Sequence, residues 1–155
     1  MNLLVVDDDS VVRMSMRTLL TAEGYTVCTA ADGEDALEKL TSHSFDMIIS
    51  DVYMPNMDGI RLRNVIREMP EKRHMPFLFI SGYDDQSTLE MIRDPKREGF
   101  FKKGRPLTEL LTLITYLSTP EHKQNGLPPS FAAGPSSPQQ PQGREQRGRS
   151  RVPLL

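Results

Sequence analysis

Short apolar runs alternate with longer amphipathic stretches over the first three quarters of the chain. The runs Leu3–Val6, Tyr25–Ala30, Met47–Ser50, Phe77–Ser81 and Gly99–Lys103 have the length and composition of buried strands. Between them, 11–23, 33–42, 59–69 and 86–93 read as helices, and 107–117 as a last one. The first helix carries Val12, Met16, Leu19 and Leu20 at helical spacing, with Ser10 as its expected N-cap and Gly24 as its stop. Asp58 before Gly59 reads as turn and N-cap chemistry for the third. The last carries Leu107, Leu110, Leu111, Ile114 and Leu117 as a core-facing stripe. Pro95 stands where the fourth helix would continue, and proline lacks the N–H and clashes with the preceding turn. That helix is expected to be short and the loop after it irregular.

Five strands alternating with helices predict an α/β fold with a parallel sheet covered on both faces. Right-handed crossovers put the C-terminal end of every strand on one edge, where ligand sites of open α/β sheets lie. The strand ends are chemically distinctive. The first runs into Asp7, Asp8 and Asp9, the third into Asp51, the fourth ends on Ser81, and the fifth on Lys102 and Lys103. Two unit charges about 4 Å apart repel by roughly 4 kcal/mol at an effective dielectric near 20. Clustered carboxylates therefore hold a proton or recruit a cation. Carboxylate oxygens with water and a phosphate oxygen are the donors Mg²⁺ uses. An aspartate there can act as a nucleophile toward phosphorus, with a lysine and a serine hydroxyl to meet the phosphoryl oxygens. Asp51 closes the greasy run "DMIIS", and this chemistry explains a carboxylate in so apolar a place.

The segments "LLVVDDDSVVR", "DMIISDVYMPNMDG", "FLFISGY" and "GFFKKGRPLTEL" occur in an order and spacing that resembles the receiver domain of two-component response regulators, the single-domain CheY-like type included. The resemblance covers residues 2 to about 117. It implies a doubly wound five-stranded parallel sheet in the order 2-1-3-4-5. By resemblance Asp51 is the phosphoacceptor, and Asp7 and Asp8 are the acidic pair, Asp8 a direct Mg²⁺ ligand and Asp7 acting through water. The backbone carbonyl of Tyr53 is a further ligand, and Pro55 and Gly59 match the loop after the phosphoacceptor. Ser81 is the switch hydroxyl, Lys103 the phosphate-contacting lysine (Lys102 the fallback), and Phe100 the switch aromatic. The implied partner is a sensor histidine kinase or phosphotransfer protein that donates the phosphoryl group. The domain would transfer and later hydrolyse it without being an enzyme in the ordinary sense, and would signal to a downstream protein through contacts. Phosphorylation-dependent dimerisation is left open.

Two departures matter. Gly104 follows Lys103 where the family usually has a proline preceded by a cis bond, so the bond here is either trans or strained. Phe100 stands where the family often has tyrosine, so output should depend on apolar exposure rather than a hydroxyl. They keep open a receiver-like interaction module that no longer accepts phosphate. The run Asp7-Asp8-Asp9-Ser10-Val11 also matches the D-x-D motif of haloacid-dehalogenase-type phosphatases, with Asp7 as nucleophile. That family needs another acidic motif beyond its lysine, where only Glu109 stands, and it leaves Asp51 unexplained.

Composition narrows the classes. Seven of the twelve prolines fall after Ser118, in a stretch without helical or strand period. Such a segment buries too little apolar surface to offset its ordering entropy, so residues 119–155 are expected to be a disordered tail and residues 1–118 the folded domain. A net charge of −2 gives no strong field toward nucleic acid or membrane. The arginines of "REQRGRSR" lack the aromatics of a nucleic-acid platform, and direct DNA reading is not expected. One cysteine, Cys28, excludes an internal disulfide framework. With no apolar run near 18 residues and an acidic start unlike a signal peptide, a cytoplasmic protein is expected.

Overall fold

A computed structural model describes residues 1–83 and 86–126. Five strands, β1 (Asn2–Val6), β2 (Thr26–Ala30), β3 (Met47–Asp51), β4 (Phe77–Ser81) and β5 (Glu98–Lys102), alternate with five helices. These are α1 (Ser10–Ala22), α2 (Gly33–Ser42), α3 (Gly59–Glu68), α4 (Gln86–Glu90) and α5 (Leu107–Ser118). All strand pairs are parallel and the sheet order is β2-β1-β3-β4-β5, as expected. Side chains alternate across the pleat, so each strand feeds two cores. Leu3, Val5, Met47, Ile49, Leu78 and Ile80 pack under α1 and α5, against Leu20, Leu110, Leu113, Ile114 and Leu117. Leu4, Val6, Ile48, Phe77 and Phe79 pack on the other face under α2 and α3, against Ala36, Leu40, Leu62 and Ile66. Burial on both faces is why these strands read as continuous apolar runs.

The helix ends correct two expectations. Asp9, not Ser10, is the N-cap of α1, because its carboxylate accepts from the N–H groups of Val11 and Val12. Both residue types cap well; Asp9 has the extended backbone of a cap, at φ −80° and ψ 113°, whereas Ser10 is already the first helical residue. Leu19 is 44% exposed, and Leu20 alone of the two enters the core. The helix closes on Glu23 and Gly24, the latter at φ +89°, which only glycine adopts cheaply.

The fourth helix is only five residues long, short as expected, and ends at Glu90 before Pro95 is reached. An arginine is buried beside it. Arg63 of α3 is 1% exposed, its guanidinium lies 5.7 Å from the Phe79 ring centre, and its Nη1 meets Glu98 Oε2 at 2.6 Å. Glu98 also accepts from Arg67 Nε at 3.0 Å and from the Arg93 N–H at 2.9 Å. Arg63 Nη1 donates to the Met91 carbonyl as well, tying α3 to the segment that replaces the missing helical turns.

Defined structure runs past Ser118, the expected domain end, to Gly126. A single 3₁₀ turn at Glu121–Lys123 follows α5, Arg97 pairs with Glu121, and Gln124 Nε2 donates to the carbonyls of Lys96, Tyr116 and Thr119. Residues 127–155, the remainder of the expected tail, lie outside the described residues. Among the described residues no helix is long and apolar enough to cross a membrane.

Candidate functional site

Register brings the strand-end residues together. Val6 lies opposite Ser50 and Asp51 opposite Ile80, so Asp7 and Asp51 leave adjacent strands at one level. Ser81 lies opposite Lys102, and the ladder continues one step further as the Lys103 N–H donates to the Ser81 carbonyl at 2.8 Å. Lys103 then reaches back over the sheet. Its Nζ donates to Asp7 Oδ2 at 2.8 Å and to Asp51 Oδ2 at 3.1 Å. Asp8 joins them, and Asp7, Asp8 and Asp51 each offer an oxygen within 4.8 Å of the others. The expected set of acids and lysine is therefore assembled, with Lys103 rather than Lys102 as the bridging cation.

Asp7 is 3% exposed and firmly anchored: its N–H donates to the Ala30 carbonyl, and its Oδ1 accepts from the Asp9 N–H at 2.9 Å. Burial pushes the Asp51 carboxyl above its ordinary range; the Lys103 hydrogen bond opposes this and the charge of Asp7 adds to it. Burial pulls the Lys103 ammonium down, but its hydrogen bonds and charge contacts with Asp7 and Asp51 outweigh that and hold it above the usual lysine value. Three carboxylates against one ammonium leave a surplus of two negative charges, which a divalent cation would neutralise. Two oxygens on one Mg²⁺ lie at most about 4.2 Å apart, given bonds near 2.1 Å. The acids therefore need to draw closer together around such an ion, and the hard oxygen donor set fits it.

Loops after the strands brace this centre. Gly59 opens α3 against the end of β3: its N–H donates to the Val52 carbonyl, and a Cβ there would collide with the Asp51 carbonyl oxygen. Asp58 caps α3 through the Arg61 N–H at 2.7 Å, the expected role. The β2–α2 turn grips the β3–α3 loop through Asn56 Nδ2 to Asp32 Oδ2 at 3.0 Å and the Gly33 N–H to the Met57 carbonyl. Hydrogen bonds, first from the Asp35 N–H and then from Asn56, hold the Asp32 carboxyl below its usual range.

Ser81 is fully buried at the end of β4, and its Oγ accepts from the Tyr83 N–H at 3.2 Å. Phe100 is partly buried against the α2–α3 core. Tyr53 and Tyr83 are 50% and 71% exposed and meet edge to face with ring centres 6.2 Å apart, each two residues beyond a site residue. Tyr83 went unread in the sequence, although its spacing from Ser81 mirrors that of Tyr53 from Asp51. The described peptide bonds are trans, which resolves the Lys103–Gly104 alternative. Gly104 sits at φ +89°, a conformation closed to proline with its φ locked near −65°, so this loop takes another path with glycine for a physical reason.

The model of the response regulator receiver domain family matches residues 3–115, and the chain belongs to that family. It is 36% identical over 115 residues to response regulator MprA of Mycobacterium ulcerans, covering 74% of this chain and 49% of that protein. It is 33% identical over 117 residues to response regulator RR06 of Streptococcus pneumoniae, covering 76% and 52%. The chain thus spans about half the length of these relatives. Among solved structures it is similar to chemotaxis protein CheY4 of Vibrio cholerae, with TM-score 0.69 and 30% identity over 75% of this chain and 97% of that one. It is also similar to response regulator TrrA of Thermotoga maritima, solved in complex with Mg(2+)-BeF, with TM-score 0.64 and 28% identity over 75% and 97%. The fold and family inferred from the strand-end residues are those the comparisons give.

Proposed function

We propose that this protein is a phosphorylation-activated response regulator that accepts a phosphoryl group on Asp51. The observation that carries this reading is the Lys103 ammonium bridging Asp7 and Asp51 beside Asp8. An Asp51 carboxylate oxygen attacks the phosphorus of a phosphohistidine on a sensor kinase or phosphotransfer protein. The new P–O bond forms as the P–N bond breaks, and the imidazole leaves with the electron pair and takes up a proton. Asp7, Asp8, Asp51 and the Tyr53 carbonyl would hold Mg²⁺, which supplies positive charge to the transferring oxygens. Lys103 meets the charge gained on Asp51, and the Ser81 hydroxyl, whose oxygen accepts from the Tyr83 N–H, donates its own hydrogen to a phosphoryl oxygen. Water later attacks the acyl phosphate, so turnover is self-limited.

The output runs through protein contacts, with Phe100 repacking as Ser81 moves, toward a downstream protein; neither nucleic acid nor membrane is a direct partner. The receiver unit covers residues 1–118 with the following arm, and the site works in the cytoplasm. That TrrA was solved with Mg(2+)-BeF supports metal and phosphoryl chemistry here. Acetyl phosphate with Mg²⁺ should add one phosphoryl group by intact mass, and Asp51→Asn should add none. A folded protein that stays unlabelled would support the second reading, a binding module without phosphate chemistry, which the unusual path at Gly104 favours.

A further inference from the structure

The turn between β1 and α1 carries three consecutive aspartates, and one residue closes it. Arg13 Nη1 donates to the Asp7 carbonyl at 2.7 Å and to the Asp8 carbonyl at 3.1 Å. The Arg13 N–H donates to the Asp9 carbonyl at 3.0 Å, the first turn of α1. All three carbonyls of Asp7-Asp8-Asp9 are thus held by the same residue, through its side chain and its backbone. Among the described residues the guanidinium bonds to backbone oxygens and to none of the three carboxylates.

This division has a chemical consequence. A guanidinium beside free carboxylates ordinarily pairs with them, because charge-assisted bidentate contacts are the stronger ones. Here its Nη1 hydrogens are committed to the two carbonyls, and the acid side chains are left to other partners. The Asp7 carboxylate goes to Lys103 and to the Asp9 N–H, the Asp9 carboxylate caps α1, and Asp8 faces the acidic pocket. Without the clamp, the Asp7 carbonyl, on a residue almost closed to water, would lack the guanidinium donor, and the peptide units of Asp7 and Asp8 would be held less firmly.

We propose that Arg13 is a positioning residue for divalent-cation binding: it fixes the backbone of the acid pair so that both carboxylates converge on the pocket with Asp51. The proposal rests on the reading of Asp7, Asp8 and Asp51 as the Mg²⁺ site. Outer-shell partners of metal ligands typically contribute about 10–100-fold in affinity. Arg13→Ala should therefore raise the Mg²⁺ dissociation constant by about tenfold or more.

The test is a Mg²⁺ titration of the full chain by calorimetry, for wild type, Arg13→Ala, Arg13→Gln, Arg13→Lys and Asp8→Asn, with melting of each in chelator. Arg13→Lys keeps a charged donor at the turn and should recover most of the affinity, whereas Arg13→Gln, which keeps part of the bulk without the charge, should not. If Arg13→Ala does not fold, Arg13→Gln is the deciding variant, expected to bind at least about fivefold more weakly. Folded Arg13→Ala or Arg13→Gln binding Mg²⁺ as tightly as wild type overturns the role of Arg13. A wild type without saturable binding, or an Asp8→Asn variant that binds equally well, overturns the metal reading beneath it and the inference with it.

Discussion

Replacing Asp51 by asparagine should make the metal-free protein more stable and the Mg²⁺-loaded protein relatively less so. Asp7, Asp8 and Asp51 bring three oxygens within 4.8 Å of one another, and each such pair of charges repels by roughly 3 kcal/mol at an effective dielectric near 20. The Lys103 ammonium at 3.1 Å returns a comparable amount to Asp51 but is shared with Asp7. Burial of Asp51 tips the balance toward the neutral form, as its raised pKa records. What remains of these opposing terms is on the order of 1 kcal/mol, the size of a common single-site change. The asparagine side chain keeps the shape and one acceptor for Lys103, so this is the expected gain of Asp51→Asn in chelator at neutral pH.

Mg²⁺ at one hundred times its dissociation constant adds about 2.7 kcal/mol to a protein that binds it only when folded. Wild type should receive that increment and Asp51→Asn little of it, so the order of stabilities reverses, with melting temperatures moving by roughly 4 °C per kcal/mol. The pH dependence has a definite sign. A carboxyl whose folded pKa lies above its unfolded value, near 3.9, costs nothing below that value and becomes unfavourable as pH rises through the folded one. The metal-free advantage of Asp51→Asn should therefore vanish toward pH 4 and be complete at neutrality. Urea melts followed by circular dichroism read all three effects. An Asp51→Asn variant less stable than wild type in chelator at pH 7 would refute the electrostatic account of the pocket.

Glu98→Gln leaves Arg63 buried without its counter-ion and should cost about 3–5 kcal/mol in urea melts, whereas the double variant Arg63→Met/Glu98→Leu should recover most of it; a single variant within about 1 kcal/mol of wild type would remove the network from the account of stability. Gly59→Ala forces a methyl into the Asp51 carbonyl, while Gly104→Ala meets open space and only the penalty of φ +89°, roughly 1–2 kcal/mol. Melts and acetyl phosphate labelling should both rank Gly59→Ala as the worse of the two, and the reverse ranking would contradict the packing described.

The chemistry of the site was legible because parallel strands joined by right-handed crossovers leave their last residues on one edge. Asp7, Asp51, Ser81 and Lys103 could be read simply as the residues that end apolar runs. Arg13, Arg63 and Glu98 were not legible, since a charged residue on a helix or near a strand start is ordinarily solvated, and only tertiary contacts say otherwise. Arg63 is buried over Phe79 beside a fourth helix of only five residues, and its counter-ion Glu98 stands 35 positions away in sequence. Leu19 misled for the complementary reason: helical spacing gives a face, while the sheet beneath α1 accepts Leu20 and leaves its neighbour in water. The arm at residues 119–126 is held by Gln124, the Arg97–Glu121 ion pair and the Tyr116 hydroxyl on the Gly126 carbonyl, a bonding pattern that proline content conceals.

The arginine that stands in for helical cover also limits how parts may be exchanged between this protein and its relatives. A chimera given a full-length fourth helix would set that helix and the Arg63 side chain in competition for the same surface above Phe79. The transplanted helix would have to displace a charge already seated on Glu98. A graft that carries the helix alone should therefore yield a strained or molten hybrid, and one that also brings apolar residues at 63 and 98 should fold. In this protein the short fourth helix and the Arg63–Glu98 pair form one structural unit.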